Sequence, residues 1–219
     1  MVVDARVLVV DLGGSGLRVG LADAHGKLTF LLRQELPLSY SAHHPRAVEF
    51  GADIANVVRD AICRAIASAD DAERRAITAV VCTSMREGFV LLDSHGNVLY
   101  AGPNADYRGI EEAEELERRV GSRLYQATGQ WIRPPAGALH APCRLLWFSR
   151  HEPERLSRAA VFMMLSDWVA SMFSEEWTSE PTCASSSALF DISTLQWRSD
   201  LIESAGASSS IFPAIVRQG

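Results

Sequence analysis

The sequence predicts an α/β fold, with a mixed central sheet flanked by helices, and three stretches carry that prediction. The first is a pair of apolar runs, Val7-Leu8-Val9-Val10 and Val19-Gly20-Leu21-Ala22, joined through Asp11-Leu12-Gly13-Gly14-Ser15-Gly16-Leu17-Arg18. The second is an apolar stripe at helical spacing: Ile54, Val57, Val58, Ala61, Ile62, Ala65 and Ile66. The third, Ile77 to Cys82, is nearly all apolar and reads as a strand buried on both faces.

The remaining elements follow in order. Residues 5–36 form three strands in a meander, the second from Leu17 to Ala22 and the third from Lys27 to Leu36. Between them His25-Gly26 supplies turn chemistry, with glycine taking the positive φ. Pro37 to Pro45 reads as a loop, and its His43 and His44 stand without partners at metal spacing. After the helix, Asp70-Asp71-Ala72-Glu73-Arg74-Arg75 reads as a charged linker. Beyond Cys82 a hairpin pairs Phe89–Leu92 with Val98–Tyr100. Asn104-Ala105-Asp106-Tyr107-Arg108 then precedes a helix with Ile110, Ala113, Leu116 and Val120 facing inward. Ala141 to Ser149 is a helix with Pro142 in its first turn, and Val161 to Leu165 is a short strand. Ser166 suits the N-cap of a helix from Asp167 to Phe173, with Asp167 a helix-start carboxylate. Cys183-Ala184-Ser185-Ser186-Ser187 is a small-residue segment, and Ser199 to Ala205 a last helix ending at Gly206.

Two stretches carry chemistry. Glycine lets a backbone reach φ > 0 or approach a ligand closely, so Gly13, Gly14 and Gly16 can turn N–H groups toward an anion. Ser15 adds a hydroxyl donor, Arg18 a positive charge, and Asp11 a carboxylate suited to a hydrated divalent cation. A plain tight hairpin accounts for the same eight residues equally well. No helix follows the glycines, as a dinucleotide fingerprint requires, and no Gly-Lys-Ser/Thr marks a Walker A loop. The second stretch is Thr83-Ser84-Met85-Arg86-Glu87-Gly88, polar groups at the carboxyl end of a strand, where open α/β sheets bind ligands. Arg86 beside Glu87 offers donors and acceptors for a polyhydroxylated substrate; a surface ion pair is the plainer alternative.

Composition narrows the field. The 219 residues carry 21 Lys plus Arg against 27 Asp plus Glu, a net charge of −6, which opposes a nucleic-acid partner. It also opposes a two-metal nuclease built on Asp11 and Glu87. Cys63, Cys82, Cys143 and Cys183 lie far apart and read as reduced, mostly buried thiols of a cytoplasmic protein. No apolar run nears the roughly 18 residues that span a membrane, so no membrane partner is expected.

Three strands, a helix and a buried strand is the opening order of the ribonuclease-H-like, actin-like ATPase fold. Asp11 to Arg18, Ser84 to Gly88 and Asn104 to Arg108, in that order, resemble the N-terminal domain of FGGY carbohydrate kinases. Within that family the chain is similar to the autoinducer-2 kinase branch. Ser84-Met85-Arg86-Glu87-Gly88, Tyr125-Gln126-Ala127-Thr128-Gly129-Gln130, Arg144-Leu145-Leu146-Trp147 and Leu165-Ser166-Asp167-Trp168 carry that likeness. It runs from about residue 6 to the end.

The resemblance implies ATP-dependent phosphorylation of a sugar or polyol hydroxyl, with ATP and Mg2+ as cofactors. Arg86, Glu87 and Asp106 would bind the substrate, Gly13, Gly14, Ser15 and Arg18 the phosphate, and Asp11 would face the magnesium. It makes residues 1–219 one sugar-binding domain, and puts the adenosine pocket and catalytic base in a C-terminal half. That half, or a second copy of the chain, is the expected partner. A catalytically silent sugar-binding or regulatory module is the alternative. Two departures bear on the expectation. Gly14 and Gly16 stand where the family's Asp-x-Gly-Thr-x-Ser-x-Arg hairpin has Thr and Ser, with Ser15 offering a shifted hydroxyl. Arg133-Pro134-Pro135-Ala136-Gly137-Ala138 looks longer than its counterpart, near where the family shapes its sugar pocket.

Overall fold

The computed structural model describes residues 5–14, 16–42 and 44–216; Ser15 and His43 lie outside them. Strands β1 (Arg6–Leu12), β2 (Gly16–Ala22) and β3 (Leu28–Glu35) form the expected antiparallel meander. Its first turn is closed by Gly13 N–H to the Gly16 carbonyl at 2.9 Å. The second turns on Asp23, whose carboxylate accepts from the His25 and Lys27 N–H groups, and on Gly26 at φ 78°. The stretch read as a loop holds strand β4 (Leu38–Tyr40), which pairs with β5 (Val48–Phe50) just beyond it. Helix α1 (Ile54–Ser68) buries Ile54, Val58, Ala61, Ile62 and Ala65, as its 3.6-residue stripe requires.

The charged residues 70–75 are not a linker. They form α2 (Asp71–Ala76) behind a capping box in which Asp70 and Glu73 satisfy each other's backbone N–H. The Asp-x-x-Glu spacing was in the sequence. Next, β6 (Ile77–Ser84) pairs parallel to β1, which makes the sheet mixed, in the order β3-β2-β1-β6. Here burial on both faces fails. As the sheet's edge strand, β6 leaves Thr78, Ala79, Val80 and Val81 exposed, Val81 at 52%.

Strands β7 (Phe89–Leu92) and β8 (Val98–Gly102) form the predicted hairpin, turning on Asp93 and Gly96. Helix α3 (Ile110–Thr128) follows, then a short 3-10 turn (Ala136–Leu139), α4 (Ala141–His151) and α5 (Pro153–Ser157). Strand β9 (Val161–Met164) pairs with β7, and α6 (Leu165–Ser174) leaves it directly. Ser166, the expected cap, is therefore inside the first turn of α6, two residues past the observed N-cap, Met164. The chain continues through β10 (Thr178–Ser179), α7 (Pro181–Ser185), β11 (Phe190–Asp191), β12 (Gln196–Trp197), α8 (Ser199–Ser204) and β13 (Ala214–Ile215).

Two apolar cores share one wall. Phe89, Leu91, Phe162 and Met164 face a core built with α3 and α4; Val90, Leu92, Val161 and Met163 face one built with the mixed sheet, α1 and α6. The period of two along β7 and β9 sends alternate residues to opposite sides, so both strands read as unbroken apolar runs. Of the four free cysteines only Cys143 is buried; Cys63 is exposed and Cys82 and Cys183 are half-buried. Among the described residues no helix is long and apolar enough to cross a membrane.

Candidate functional site

The site is built where two parallel strands end together. In the β1–β6 register Asp11 lies beside Thr83 and Leu12 beside Ser84, and the Leu12 carbonyl accepts from Met85 N–H at 3.0 Å. That bond joins the glycine hairpin to the start of the Arg86–Glu87 turn. A Cβ on Gly14 would meet nothing nearer than Met85 Sδ, 4.0 Å away, so the hairpin's tip is open on this side.

The glycines do their work without left-handed backbone. Gly13, Gly14 and Gly16 are absent from the positive-φ positions, which overturns that part of the expectation. Gly16 is needed for a different reason: a Cβ there would stand 2.7 Å from the Gln34 carbonyl oxygen of β3. Asp11 and Arg18 are cross-strand partners, and Arg18 Nη1 donates to Asp11 Oδ2 at 2.7 Å. Arg18 thus already holds a carboxylate, with both side chains about a third exposed.

Of Arg86 and Glu87, only Arg86 lines the cleft beside the turn. The Arg86 side chain is 82% exposed, Glu87 only 12%, and Arg86 Nε lies 3.7 Å from Glu87 Oε1, too long for a hydrogen bond. Glu87 adopts φ 64°, a left-handed conformation that costs a non-glycine residue about 1–3 kcal/mol. Its carbonyl oxygen accepts from the buried Arg144 guanidinium, which holds the turn in place. Gly88 is required next to it, because a Cβ would run into Leu165 Cδ1 at 2.4 Å.

Asp106, expected to bind substrate, is instead enclosed in the protein. It is fully buried; Oδ2 accepts from Tyr100 Oη at 2.6 Å, and Arg108 Nε reaches both oxygens at 3.0 and 2.8 Å. The Arg108 and Val48 N–H groups complete its shell, leaving no lone pair facing the cleft.

Beside the turn runs a cleft of about 430 Å³, lined by Thr83, Ser84, Met85 and Arg86 on one side and Ser166, Glu180, Cys183 and Ser186 on the other. The Cys183–Ser187 segment therefore does line a cleft wall. Asp167 lies deeper, its Oδ2 accepting from Ser179 Oγ and Oδ1 from Glu180 N–H at 3.4 Å. Burial pushes its carboxyl up to about 7, further than those hydrogen bonds pull it down. Burial also works to raise Glu180, but hydrogen bonds from Cys183 and Thr182 hold it below the ordinary range. Cys82 is pushed up to about 12, by burial and then by Asp167, so it is an inert thiol.

Sequence reasoning missed two buried side chains behind the Arg86–Glu87 turn. Arg144 is fully buried in an apolar helix, and its Nη atoms bind Tyr100 Oη, Pro103 O, Leu139 O and Glu87 O. His140, buried at the start of the same helix, is lowered to about 4 by burial and then by Arg144 and Arg86. A charged residue interrupting an apolar helical run was the available signal for Arg144; nothing in the sequence marked His140.

Among the described residues no three His, Cys, Asp or Glu side chains gather around one metal position. Asp11 alone suits magnesium held chiefly by phosphate and water, which takes one or two protein carboxylates.

Comparisons with known proteins agree on one family. The chain is 31% identical over 222 residues to the autoinducer-2 kinase of Enterobacter sp. (strain 638), covering 97% of this chain and 40% of that protein. It thus spans about 40% of the length of that relative. The gluconate kinase of Lactobacillus acidophilus superposes with a TM-score of 0.82 at 18% identity, over 97% of this chain and 42% of the other. The ligand-bound xylulose kinase of the same organism superposes at 0.81, again at 18% identity, over 97% and 42%. These neighbours share the actin-like ATPase fold. The model of the N-terminal domain of the FGGY family of carbohydrate kinases matches residues 6–219, so the chain belongs to that family.

Proposed function

We propose that this chain is the sugar-binding half of an ATP-dependent kinase acting on a hydroxyl of a sugar or polyol, similar to autoinducer-2 kinase. One observation supports the reading above the others. The Leu12–Met85 hydrogen bond sets the glycine hairpin against the exposed Arg86. A phosphate at Gly13–Gly14 and a polyol at Arg86–Glu87 would then be neighbours.

In this reading Arg86 and Glu87 hydrogen-bond substrate hydroxyls, and the rigid Arg144 clamp on the Glu87 carbonyl fixes their direction. Gly13 and Gly14 offer backbone and space to the transferring phosphate. Ser15 adds its hydroxyl there, and Arg18 steadies Asp11 while adding charge. Asp11 would help hold the magnesium ion, which would supply positive charge to the transferring phosphate. The general base is assigned to a C-terminal half, as is the adenosine pocket. The buried carboxylates around the cleft, Glu180 in its lining and Asp106 and Asp167 behind it, are all spent on internal hydrogen bonds. A second reading, a catalytically silent sugar-binding or regulatory module, draws on the Arg18–Asp11 pair, which leaves the hairpin without an unengaged cation. The partner is a C-terminal kinase half or a second copy of this chain, in the cytoplasm.

The test is a coupled ADP-release assay with D-xylulose, D-gluconate, glycerol and autoinducer-2, run beside calorimetry with the same compounds. The chain alone is expected to bind one of them without turnover, since loss of a general base typically costs about 10²–10⁴ in rate. Adding a C-terminal half should restore sugar-dependent release; continued silence in that mixture favours the second reading. Turnover by residues 1–219 alone would overturn the division of labour.

A further inference from the structure

Two buried nitrogens behind the Arg86–Glu87 turn find no hydrogen-bond partner among the described residues: Nδ1 of His140 and Nε of Arg144. Buried polar atoms are rarely left unpaired, so two behind one turn call for a reason. They are complementary. The Ser186 backbone acts on the His140 ring as a nearby acceptor, while burial together with Arg144 and Arg86 keeps the ring neutral. A neutral imidazole that gives its one N–H to a carbonyl keeps a lone pair on the other nitrogen, here Nδ1. Arg144 Nε–H is the opposite case, a donor whose direction is fixed because both Nη atoms are tied to four oxygens. Residues 140 and 144 are one helical turn apart, at the start of α4, and so lie on one face.

One acceptor beside one donor fits a single hydroxyl, which gives its hydrogen to Nδ1 and receives one from Nε–H. Its surroundings place that hydroxyl next to the cleft. Arg144 also binds the Glu87 carbonyl, and Ser186, the partner of His140, lines the cleft opposite Arg86. Resting on the sugar-binding reading above, we propose that His140 and Arg144 form a subsite for one hydroxyl of the polyol substrate, with His140 the specificity-determining acceptor.

Arg144 holds too much of the fold to be a clean probe, so the test changes His140. His140→Phe keeps a flat ring and removes both nitrogens. His140→Asn places an oxygen near the position of Nδ1 and gives up the Ser186 contact. Calorimetry with D-xylulose, D-gluconate, glycerol and autoinducer-2 is expected to show the compound bound by the parent chain about 2- to 12-fold weaker in the Phe variant. The Asn variant should recover most of that loss. If the Ser186 contact were what mattered, both variants would weaken alike and the subsite would be refuted. Nitrogen NMR of labelled histidine gives a second reading on the unmodified chain. The Nδ1 resonance should shift when the compound is added; an Nδ1–H tautomer, or a resonance indifferent to ligand as a resident water would make it, overturns the proposal. Unchanged affinity in the Phe variant refutes the subsite alone. Failure of the parent chain to bind any of the four compounds removes the sugar-binding reading and the subsite with it.

Discussion

Arg108 and Arg86 each stand beside a carboxylate, and there the likeness ends. The Arg108 side chain is 1% exposed, chelates Asp106 through Nε, reaches Glu49 Oε1 at 2.8 Å, and lies over the rings of Tyr100, Trp147 and Phe148. Arg155 shares Glu49 with it and extends the network to the Leu99 carbonyl. The Arg86 side chain is held in solvent beside a glutamate it does not bond. The first cluster is saturated and the second is not. A buried charge persists only when its partners are in place, so saturation marks structure. A charge held only in a loose, solvated ion pair, on a turn that takes up left-handed backbone at Glu87, has capacity left for a ligand.

The largest effect tests the saturated side. Asp106→Ala leaves the Arg108 guanidinium buried with its chelating partner gone, and breaking such a pair costs about 3–5 kcal/mol. For a domain of this size each kcal/mol lowers Tm by about 2–4 °C, so calorimetric melting should fall by roughly 6–20 °C. Sugar affinity of the fraction still folded should not change. Weakened binding at an unaltered Tm would return Asp106 to the cleft.

Asp167 comes next, because it is buried without a countercharge. Its carboxyl is raised from 3.8 to about 7, so the folded state holds a proton that the unfolded state releases. Stability from this group is present below pH 3.8 and is lost as pH climbs through 7, by no more than about 4 kcal/mol. Asp167→Asn carries no charge at any pH and keeps an acceptor and a donor for Ser179 and Glu180. Urea unfolding at pH 5 and pH 8 should show the parent losing stability at the higher pH and the variant losing less. Equal slopes would mean that Asp167 is ionised and solvated.

Arg86→Ala addresses the open side. Losing a charged hydrogen-bonding partner costs about 1.5–3 kcal/mol, a 10- to 150-fold fall in sugar affinity by calorimetry. Stability should move by less than about 0.5 kcal/mol, since the side chain touches little else. A drop in Tm with intact binding would invert the contrast with Arg108.

That contrast was only half legible in the sequence. Strand-hairpin-strand, helix and strand could be read from periodicity, and the hairpin and the Ser84–Gly88 stretch were picked out because glycine and adjacent charges are local signals. What failed was burial, which depends on neighbours distant in the chain. Ile77–Cys82 is apolar whether a strand lies at the centre of a sheet or at its edge, and here it is the edge. Asp106 and Arg86 are each a charged residue in a polar stretch, yet Tyr100, Val48 and Glu49 come from elsewhere to enclose Asp106 and Arg108. His140 carried no motif and Arg144 stood only within the Arg144-Leu145-Leu146-Trp147 likeness, because the interest of both lies in the bonds they do not make.

The smallest effect separates two glycines of one hairpin. Gly16→Val places a Cβ 2.7 Å from a β3 carbonyl oxygen, and since backbone must move to relieve it, overpacking of about 1–3 kcal/mol is expected. Gly14→Val meets only the Met85 sulfur at 4.0 Å, on an exposed residue without a left-handed φ. Its stability should therefore change by less than about 0.5 kcal/mol, and sugar affinity should hold. If the glycine is there to admit a phosphate, the branched side chain will fill that space and leave its mark only on the nucleotide side. Chemical denaturation of both variants, with sugar titrations of each, reads the difference. A Gly14→Val chain as unstable as Gly16→Val would mean that packing within the hairpin, and not room for a ligand, explains both residues.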